Sequence, residues 1–559
     1  MKTGAEILVE SLIKEGVEYI FGLPGAVLCD VYDVLYDSRL KFIITRHEQA
    51  AAHAADGYAR GSGKAGVCMV TSGPGATNIV TGLATAYMDS IPLVVITGQV
   101  PTSMIGDDAF QEADIAGITR TISKYNYLVK DVNDLARTIK EAFYIATTGR
   151  PGPVLIDLPK DVLSGKAKYE YPEEVHIRGY NPNVQGHLKQ IEKIAERISE
   201  SEKPVIYIGG GVILSGADQE VEKLALAINA PVVSTLMGLG GFPGDHDLFL
   251  GMLGMHGTYW SNMAVNHADL IIAVGARFDD RVTGRIDKFA PNATVIHIDI
   301  DPATISKNVQ VDLPVVGDAK EVLRELNVKV KEKIKKKPDR ASWFSEIKSW
   351  KEKHPLSYTR DKKSVKPQWV IEKICEMAGG NAIITTDVGQ HQMWVAQYYK
   401  FKKPRTLLTS GGLGTMGYGL PAAIGVKLAK PDCPVINITG DGSFQMNMQE
   451  IATAVAYKIP LIVVILNNNT YGMVRQYQSL FYNKRYYATD LDANPDFVAL
   501  AQSFGAAGLR VENEKDFDPI FKQALAEKRP VIIDIKTDKD EKVFPMVPSG
   551  GSVKDIMVN

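Results

Sequence analysis

PVINITGDGSFQMNMQEIATAVAYKIPLIVVILNNNTYG, running from Pro434 to Gly472, decides the fold. Its two apolar runs, Val435–Ile438 and Leu461–Leu466, are short and rich in β-branched residues, as parallel strands buried on both faces are. Between them, Asn447 to Lys458 has the length and periodicity of a helix. The unit therefore reads as strand–helix–strand, with Asp441 and Asn468 at the carboxyl ends of two strands, where open α/β sheets bind ligands. A carboxylate, a carboxamide and the backbone carbonyl of Thr470 supply only hard oxygens. Such a set suits Mg²⁺, which takes few protein ligands and completes its octahedron with phosphate oxygens and water. Gly442 lets the backbone come close to those phosphates.

A chain of 559 residues is too long for one core and is expected to form about three domains. The expected class is α/β, with mostly parallel sheets flanked by helices. Helix and strand patterns alternate over residues 1–165, with strands at Tyr19–Phe21, Phe42–Thr45, Gly66–Thr71, Leu93–Thr97 and Val154–Leu158. A polar, proline-bearing linker follows from Ser164 to Val184. A second segment, 185–330, has strands at Pro204–Ile208, Val232–Ser234, Leu270–Val274 and Val295–Ile298. The lysine-rich run Lys329–Lys337 reads as a solvated helix end entering a connector. A third segment, 365–540, holds the stretch quoted first, and a tail rich in glycine and proline occupies 541–559. A net charge of −2 argues against nucleic acid or an anionic membrane as partner. No apolar run approaches the ~20 residues of a membrane span. Cys29, Cys68, Cys375 and Cys433 are scattered without CxxC spacing, as reduced thiols in a cytoplasmic protein are. The fold pattern begins at GAEILVESLIKEGVEYIFG, so no targeting segment is expected.

Gly440-Asp441-Gly442, read with Asn467-Asn468-Asn469, resembles the diphosphate-anchoring motif of thiamine-diphosphate (ThDP) enzymes. The resemblance implies Mg²⁺ on Asp441, Asn468 and Thr470, with Gly440, Gly442, Ser443, Gly472 and Met473 around the cofactor. In that family a carboxylate on the cofactor's pyrimidine promotes loss of the thiazolium C2 proton, the protein supplying orientation and electrostatics. In IITRHEQAAAHAADGYAR, Glu48 opens a helix just after a strand, and RHEQAA matches the family's activating glutamate. GGLGTMGYGLPAAIG places Gly414 and Met416 where the family wedges a bulky residue between the cofactor rings. Val388, Gly389, Gln390 and His391 resemble the segment lining the pyrimidine and diphosphate. His391 reads equally as a phosphate or proton-transfer group and as a structural histidine. Because Glu48 and Asp441 lie in separate segments, the site is expected at a domain interface. In this family that interface is normally between subunits, implying a homodimer or homotetramer.

End to end, the chain resembles the catalytic subunits of the acetohydroxyacid (acetolactate) synthase family, through FGLPGAVLCDVYD, TSGPGATN, FQEADI, GMLGMHG, GARFDDRVTG, GMVRQYQ and FPMVP. The resemblance implies decarboxylation of pyruvate and transfer of the hydroxyethyl unit to pyruvate or 2-ketobutyrate. It places Gly25 and Gln111 near the reacting centre, with Gln111 able to donate to a developing oxyanion. It also places Phe110, Val474 and Tyr477 at the substrate and Lys124 at the channel mouth. In the middle segment, Gly209-Gly210-Gly211 follows a strand, Arg277 and Arg281 are placed for a diphosphate, and Asp299 or Asp318 for a ribose. Thr235, Leu236, Met237, Met255, His256, Gly275, Asp279, Val282, Ile300 and Ala319 complete the FAD site the resemblance implies. RFDDR is the mark of the biosynthetic, FAD-containing enzymes; catabolic acetolactate synthase and FAD-containing pyruvate oxidase are the alternatives. Two positions depart from the family: Gly25-Ala26 stands where two glycines are usual, and Tyr477 where tryptophan is usual. The second puts acceptor preference in doubt. No regulatory module is legible, so feedback would need a separate small subunit.

Overall fold

The computed structural model describes residues 1–360 and 364–558. Three six-stranded sheets follow one another along the chain, every strand pairing within them parallel. The first is built from Tyr19–Leu23, Lys41–Ile44, Gly66–Val70, Leu93–Gln99, Tyr125–Leu128 and Pro153–Pro159. Counted along the chain, these strands lie in the order 2-1-3-4-6-5. The third, from Ile383–Thr386, Leu407–Leu408, Val435–Gly440, Ile462–Asn467, Ala507–Val511 and Val531–Lys536, repeats that order. Between them the central sheet has the order 3-2-1-4-5-6, that of dinucleotide-binding folds.

Burial on both faces explains why the inner strands read as unbroken apolar runs. In Leu93–Gln99, Leu93 and Val95 enter one core while Val94 and Ile96 enter the other. Strand order reverses beside the first strand of each sheet, and such a reversal opens a crevice at the strands' carboxyl ends. The crevices fall between Tyr19–Leu23 and Gly66–Val70, between Pro204–Ile208 and Leu270–Val274, and between Ile383–Thr386 and Val435–Gly440.

The outer domains meet through helix Glu48–Ser62, packed along helix Gly419–Ala429. Glycines and alanines of the two helices meet closely there, and a Cβ on Gly425 would lie 1.8 Å from the Ala54 carbonyl oxygen. Any side chain there would force the domains apart.

The helix expected over Asn447–Lys458 is broken into a 3₁₀ turn, Met448–Glu450, and a short helix, Ile451–Ala456. Asn447 turns its side chain to the Gly417 carbonyl and the Gln449 amide, competing with helix formation at its start. Beyond Val330 the chain still serves the central core, since helix Ala341–Lys353 contributes Trp343 and Ile347 to it. The tail is also docked: the Val547 N–H donates to the Met255 carbonyl at 2.8 Å and that of Arg285 to Gly551 at 3.0 Å. Among the described residues, no helix is long and apolar enough to cross a membrane.

Candidate active site

Segments after four strands of the first sheet converge at its crevice. A Cβ on Gly25 would lie 2.3 Å from Thr71 Cβ, and one on Gly73 would lie 2.9 Å from Gln111 Cα. Glu48 opens its helix directly after the cap residue His47. It is only 6% exposed. One carboxylate oxygen accepts from Asn78 Nδ2 at 2.9 Å, and the other lies 3.4 Å from where a Gly75 Cβ would stand. The structure thus gathers Gly25, Glu48 and Gln111 around the segment Thr71–Asn78. Thr71 Oγ1 and Ser72 Oγ are buried there without partners, as hydroxyls facing a ligand would be. Gln111 has a left-handed φ of 60°, and the neighbouring Phe110 is 88% exposed. The loop's return is held by Gln99 Nε2, which donates to the Ala113 carbonyl at 2.8 Å and to Asp157 at 3.0 Å. Burial pushes the Asp157 carboxyl up to about 7. Ala26 is exposed. Lys124 is turned inward: its ammonium donates to the carbonyls of Ile145 and Thr148 and to Tyr180 Oη, and burial lowers its pKa to about 8.

The crevice of the third sheet is polar and tightly built. Asp441, 1% exposed, has its carboxyl pushed above the usual range by burial, opposed by the hydrogen bond from Asn494. That bond, from Asn494 Nδ2, measures 2.6 Å, and Asn494 also reaches Asn469 Oδ1 at 3.1 Å. Asn494 therefore orients the Asp441 side chain, and nothing local in the sequence marks it. Asn468 Oδ1 accepts from the Thr470 N–H at 3.2 Å. Gly472 leaves space filled by Gln390: a Cβ would meet Gln390 Oε1 at 2.0 Å and Asn468 Nδ2 at 2.9 Å. Ser443 Oγ donates to the Val388 carbonyl at 3.0 Å. His391 packs beside Gly440, where a Cβ would lie 3.1 Å from its Nδ1. Burial lowers its pKa to about 3, so the ring is neutral, and its Nε2 has no partner. A neutral, unpartnered ring nitrogen suits a hydrogen bond to a ligand better than charge attraction to phosphate. Among the described residues no group of three His, Cys, Asp or Glu side chains is arranged to hold a metal. The oxygens of Asp441 and Asn468 form a set with a single carboxylate, too few for a metal unless ligand oxygens supplied the rest.

A cavity of about 1360 Å³ runs from the central crevice to the third domain. Gly209, Gly210 and Gly211 line it at one strand end, and Gly275, Arg277, Asp279, Arg281 and Val282 at the next. Thr235, Leu236, Met237, Met255, His256, Asp299, Ile300, Asp318 and Ala319 line it too. His256 Nδ1 is buried without a partner, and burial lowers the ring's pKa to about 4. Asp299 ends strand Thr294–Asp299. Asp318 instead caps helix Ala319–Lys333, one oxygen accepting from the N–H groups of Lys320 and Glu321. From the third domain, Val388, Gly389, Gly414, Met416, Met473, Val474 and Tyr477 reach the same cavity. Tyr477 Oη lies 3.6 Å from Met255 Sδ. Gly25, Glu48 and Gln111 do not line it. Nor do Asp441 and Asn468; the Glu48 group sits at the crevice of the first sheet and the Asp441 group at that of the third.

Two sheets of like strand order on either side of a dinucleotide-type sheet are the architecture of thiamine pyrophosphate enzymes. Three family models match in sequence: the N-terminal TPP binding domain over 2–118, the central domain over 191–326 and the C-terminal TPP binding domain over 387–535. The acetolactate synthase large subunit of Buchnera aphidicola (subsp. Schizaphis graminum) is 49% identical, over 99% of this chain and 98% of its own length. The isozyme 3 large subunit of Escherichia coli K12 is 48% identical over 100% and 99%. A probable acetolactate synthase large subunit of Methanocaldococcus jannaschii is 52% identical over 99% and 95%. The chain belongs to the acetolactate synthase large subunits of the thiamine pyrophosphate enzyme family.

Proposed function

We propose that the protein is the catalytic subunit of a biosynthetic acetolactate synthase. It decarboxylates pyruvate and joins the two-carbon unit to pyruvate or 2-ketobutyrate, opening branched-chain amino-acid synthesis, with ThDP, Mg²⁺ and FAD bound. ThDP would supply the electron sink for the carbanion formed as carbon dioxide leaves. Asp441, Asn468 and the Thr470 carbonyl would hold Mg²⁺ against the diphosphate, with Gly440, Gly442, Ser443 and Gly472 leaving room for phosphate. Glu48 would hold a proton at the pyrimidine nitrogen, its place fixed by Asn78. Gln111 would donate to a developing oxyanion. Val388, Gly389, Gln390, His391, Gly414, Met416 and Met473 would shape the cofactor pocket. Val474 and Tyr477 would bound the acceptor site, beside Gly25 and Phe110 from the other half-site. Lys124 acts in this reading by fixing its domain rather than by drawing in substrate.

The central cavity has the size, glycine edges and unpartnered His256 nitrogen to suit a flavin dinucleotide. Arg277 and Arg281 would face its diphosphate and Asp299 its ribose. Because the carboligation transfers no net electrons, the flavin would serve the structure. The four free cysteines fit a reducing compartment, taken to be the cytoplasm. The name large subunit, borne by the relatives, supports a separate small regulatory partner.

The placement of the Glu48 group and the Asp441 group at the crevices of two different sheets supports an assembly in which subunits share sites. Two copies would complete each site, the Glu48 half of one facing the Asp441 half of the other, with exposed Phe110 covered in the contact. Co-expressing Glu48→Gln and Asp441→Ala subunits tests this. Hybrid dimers would regain one intact site, restoring about a quarter of parental activity in a random mixture. No restoration would mean that each site is built within one chain.

A further inference from the structure

The loop Thr409–Tyr418, which carries Gly414 and Met416, is fastened to the first domain of its own chain at both ends and in the middle. Arg60 Nη1 donates to the Thr409 carbonyl at 3.0 Å. Asp89 accepts from the N–H of Gly411 at 3.1 Å and of Gly412 at 2.7 Å. The hydroxyls of Thr85 and Thr415 meet at 2.7 Å, and Tyr418 Oη donates to Asp56 at 2.6 Å. The anchors are themselves joined, Arg60 bonding Asp56 at 2.6 Å and Asp89 at 2.9 Å. Asp56, Arg60 and Asp89 are all buried.

Three buried charges cost folding free energy unless each is fully satisfied, and here much of that satisfaction comes from the loop. Its backbone also leaves little slack. A Cβ on Gly412 would meet Met88 Cβ at 2.9 Å, and one on Gly411 would meet Met237 Sδ at 2.4 Å. The loop is thus threaded between the first and central domains, with Met416 projecting to the cavity.

We propose that Asp89, with Arg60 and Thr85, is the positioning group for the Met416 loop, setting where Met416 stands. The consequence for catalysis rests on the reading of Met416 as a ThDP contact; the clamp itself does not.

Two variants of the full chain test it: Asp89→Asn, which keeps the shape and removes the charge, and Thr85→Val, which removes one hydroxyl. Hydrogen exchange at the amides of Gly411, Gly412 and Thr415 is measured in protein stripped of ThDP, and ThDP half-saturation is then measured for each variant. In Asp89→Asn, loop exchange should rise about 10-fold or more, as expected for losing a charge-assisted hydrogen bond, while exchange in Val531–Lys536 stays unchanged. The ThDP requirement should rise by a similar factor, with a smaller effect on kcat at saturation. Thr85→Val should shift both readouts in the same direction by less, and it decides the matter if Asp89→Asn fails to fold. Unchanged loop exchange in the folded variants would overturn the clamp. Faster loop exchange with an unchanged ThDP requirement would uphold the clamp and refute the reading of Met416.

Discussion

Replacing Glu48 with glutamine separates charge from shape at the most constrained position of the first half-site. The parent carboxylate is 6% exposed, and one of its oxygens holds Asn78 Nδ2 at 2.9 Å. Glutamine keeps that bond through its carbonyl oxygen. The geometry then forces its NH₂ into the place of the second carboxylate oxygen, beside Gly75, so a donor stands where an acceptor stood. Shape and the Asn78 bond survive, so the fold should hold. The chemical loss is that of a general acid–base group, roughly 10²–10⁴ in kcat, or about 3–5 kcal/mol of barrier. The assay is acetolactate formation from pyruvate at saturating ThDP, Mg²⁺ and FAD, with melting temperature and flavin absorbance followed in parallel. Turnover within about threefold of the parent would remove Glu48 from the chemistry. A loss tracking a fallen melting temperature would refute the claim that the substitution spares the fold.

Asp441→Ala should raise the Mg²⁺ and ThDP requirements together, because it removes a metal ligand and strands the Asn494 amide; unchanged titrations would reduce the Gly440–Gly442 turn to a structural role. Glu450, buried against the Arg46 N–H and the Thr453 hydroxyl, has its carboxyl pushed by burial from an ordinary 4.5 up to about 7. Folding favours its neutral form, so its contribution is fully present below the ordinary value and is lost as pH rises through about 7. Glu450→Gln should therefore gain stability over the parent between pH 5 and 8, up to ~3 kcal/mol, read as a widening melting-temperature gap; a pH-independent gap would contradict this. Tyr477 packs on Phe481 with ring centroids 5.5 Å apart and lies against Met255. Tyr477→Trp should shift the product ratio from mixed pyruvate and 2-ketobutyrate toward the larger acceptor by about 10-fold, the worth of one methylene in an apolar pocket. An unchanged ratio there and in Tyr477→Ala would take Tyr477 out of the specificity site.

Inner strands were the most legible part of the fold because burial on both faces leaves unbroken apolar runs. Pro204–Ile208, Val232–Ser234 and Leu270–Val274 match their sequence-based bounds. Edge strands carry a weaker signal, being buried on one face at most. Tyr125–Leu128, Phe249–Met252 and Leu313–Val316, all at sheet edges with mixed burial, were not read from the sequence. The candidate residues of each half-site were legible because strand ends and helix starts concentrate them in short motifs. What holds them was not. Asn494 reaches Asp441 across 53 positions and Asp89 reaches Gly412 across 323, contacts that only the tertiary fold creates. Lys124 shows the same. The resemblance placed it at the channel mouth, and the tertiary fold gives its ammonium three oxygen partners in its own domain that no local pattern signals.

The account's central claim is carboligation without electron transfer, on a chain that also has room for a flavin. Purified protein supplied with ThDP, Mg²⁺, FAD and pyruvate is followed for carbon dioxide, acetolactate and oxygen consumption, with and without air. The account predicts one acetolactate per carbon dioxide released, at the same rate in both conditions and with no oxygen uptake. Oxygen consumption in step with carbon dioxide release, or activity that fails without an electron acceptor, would contradict it and make the chain an oxidase.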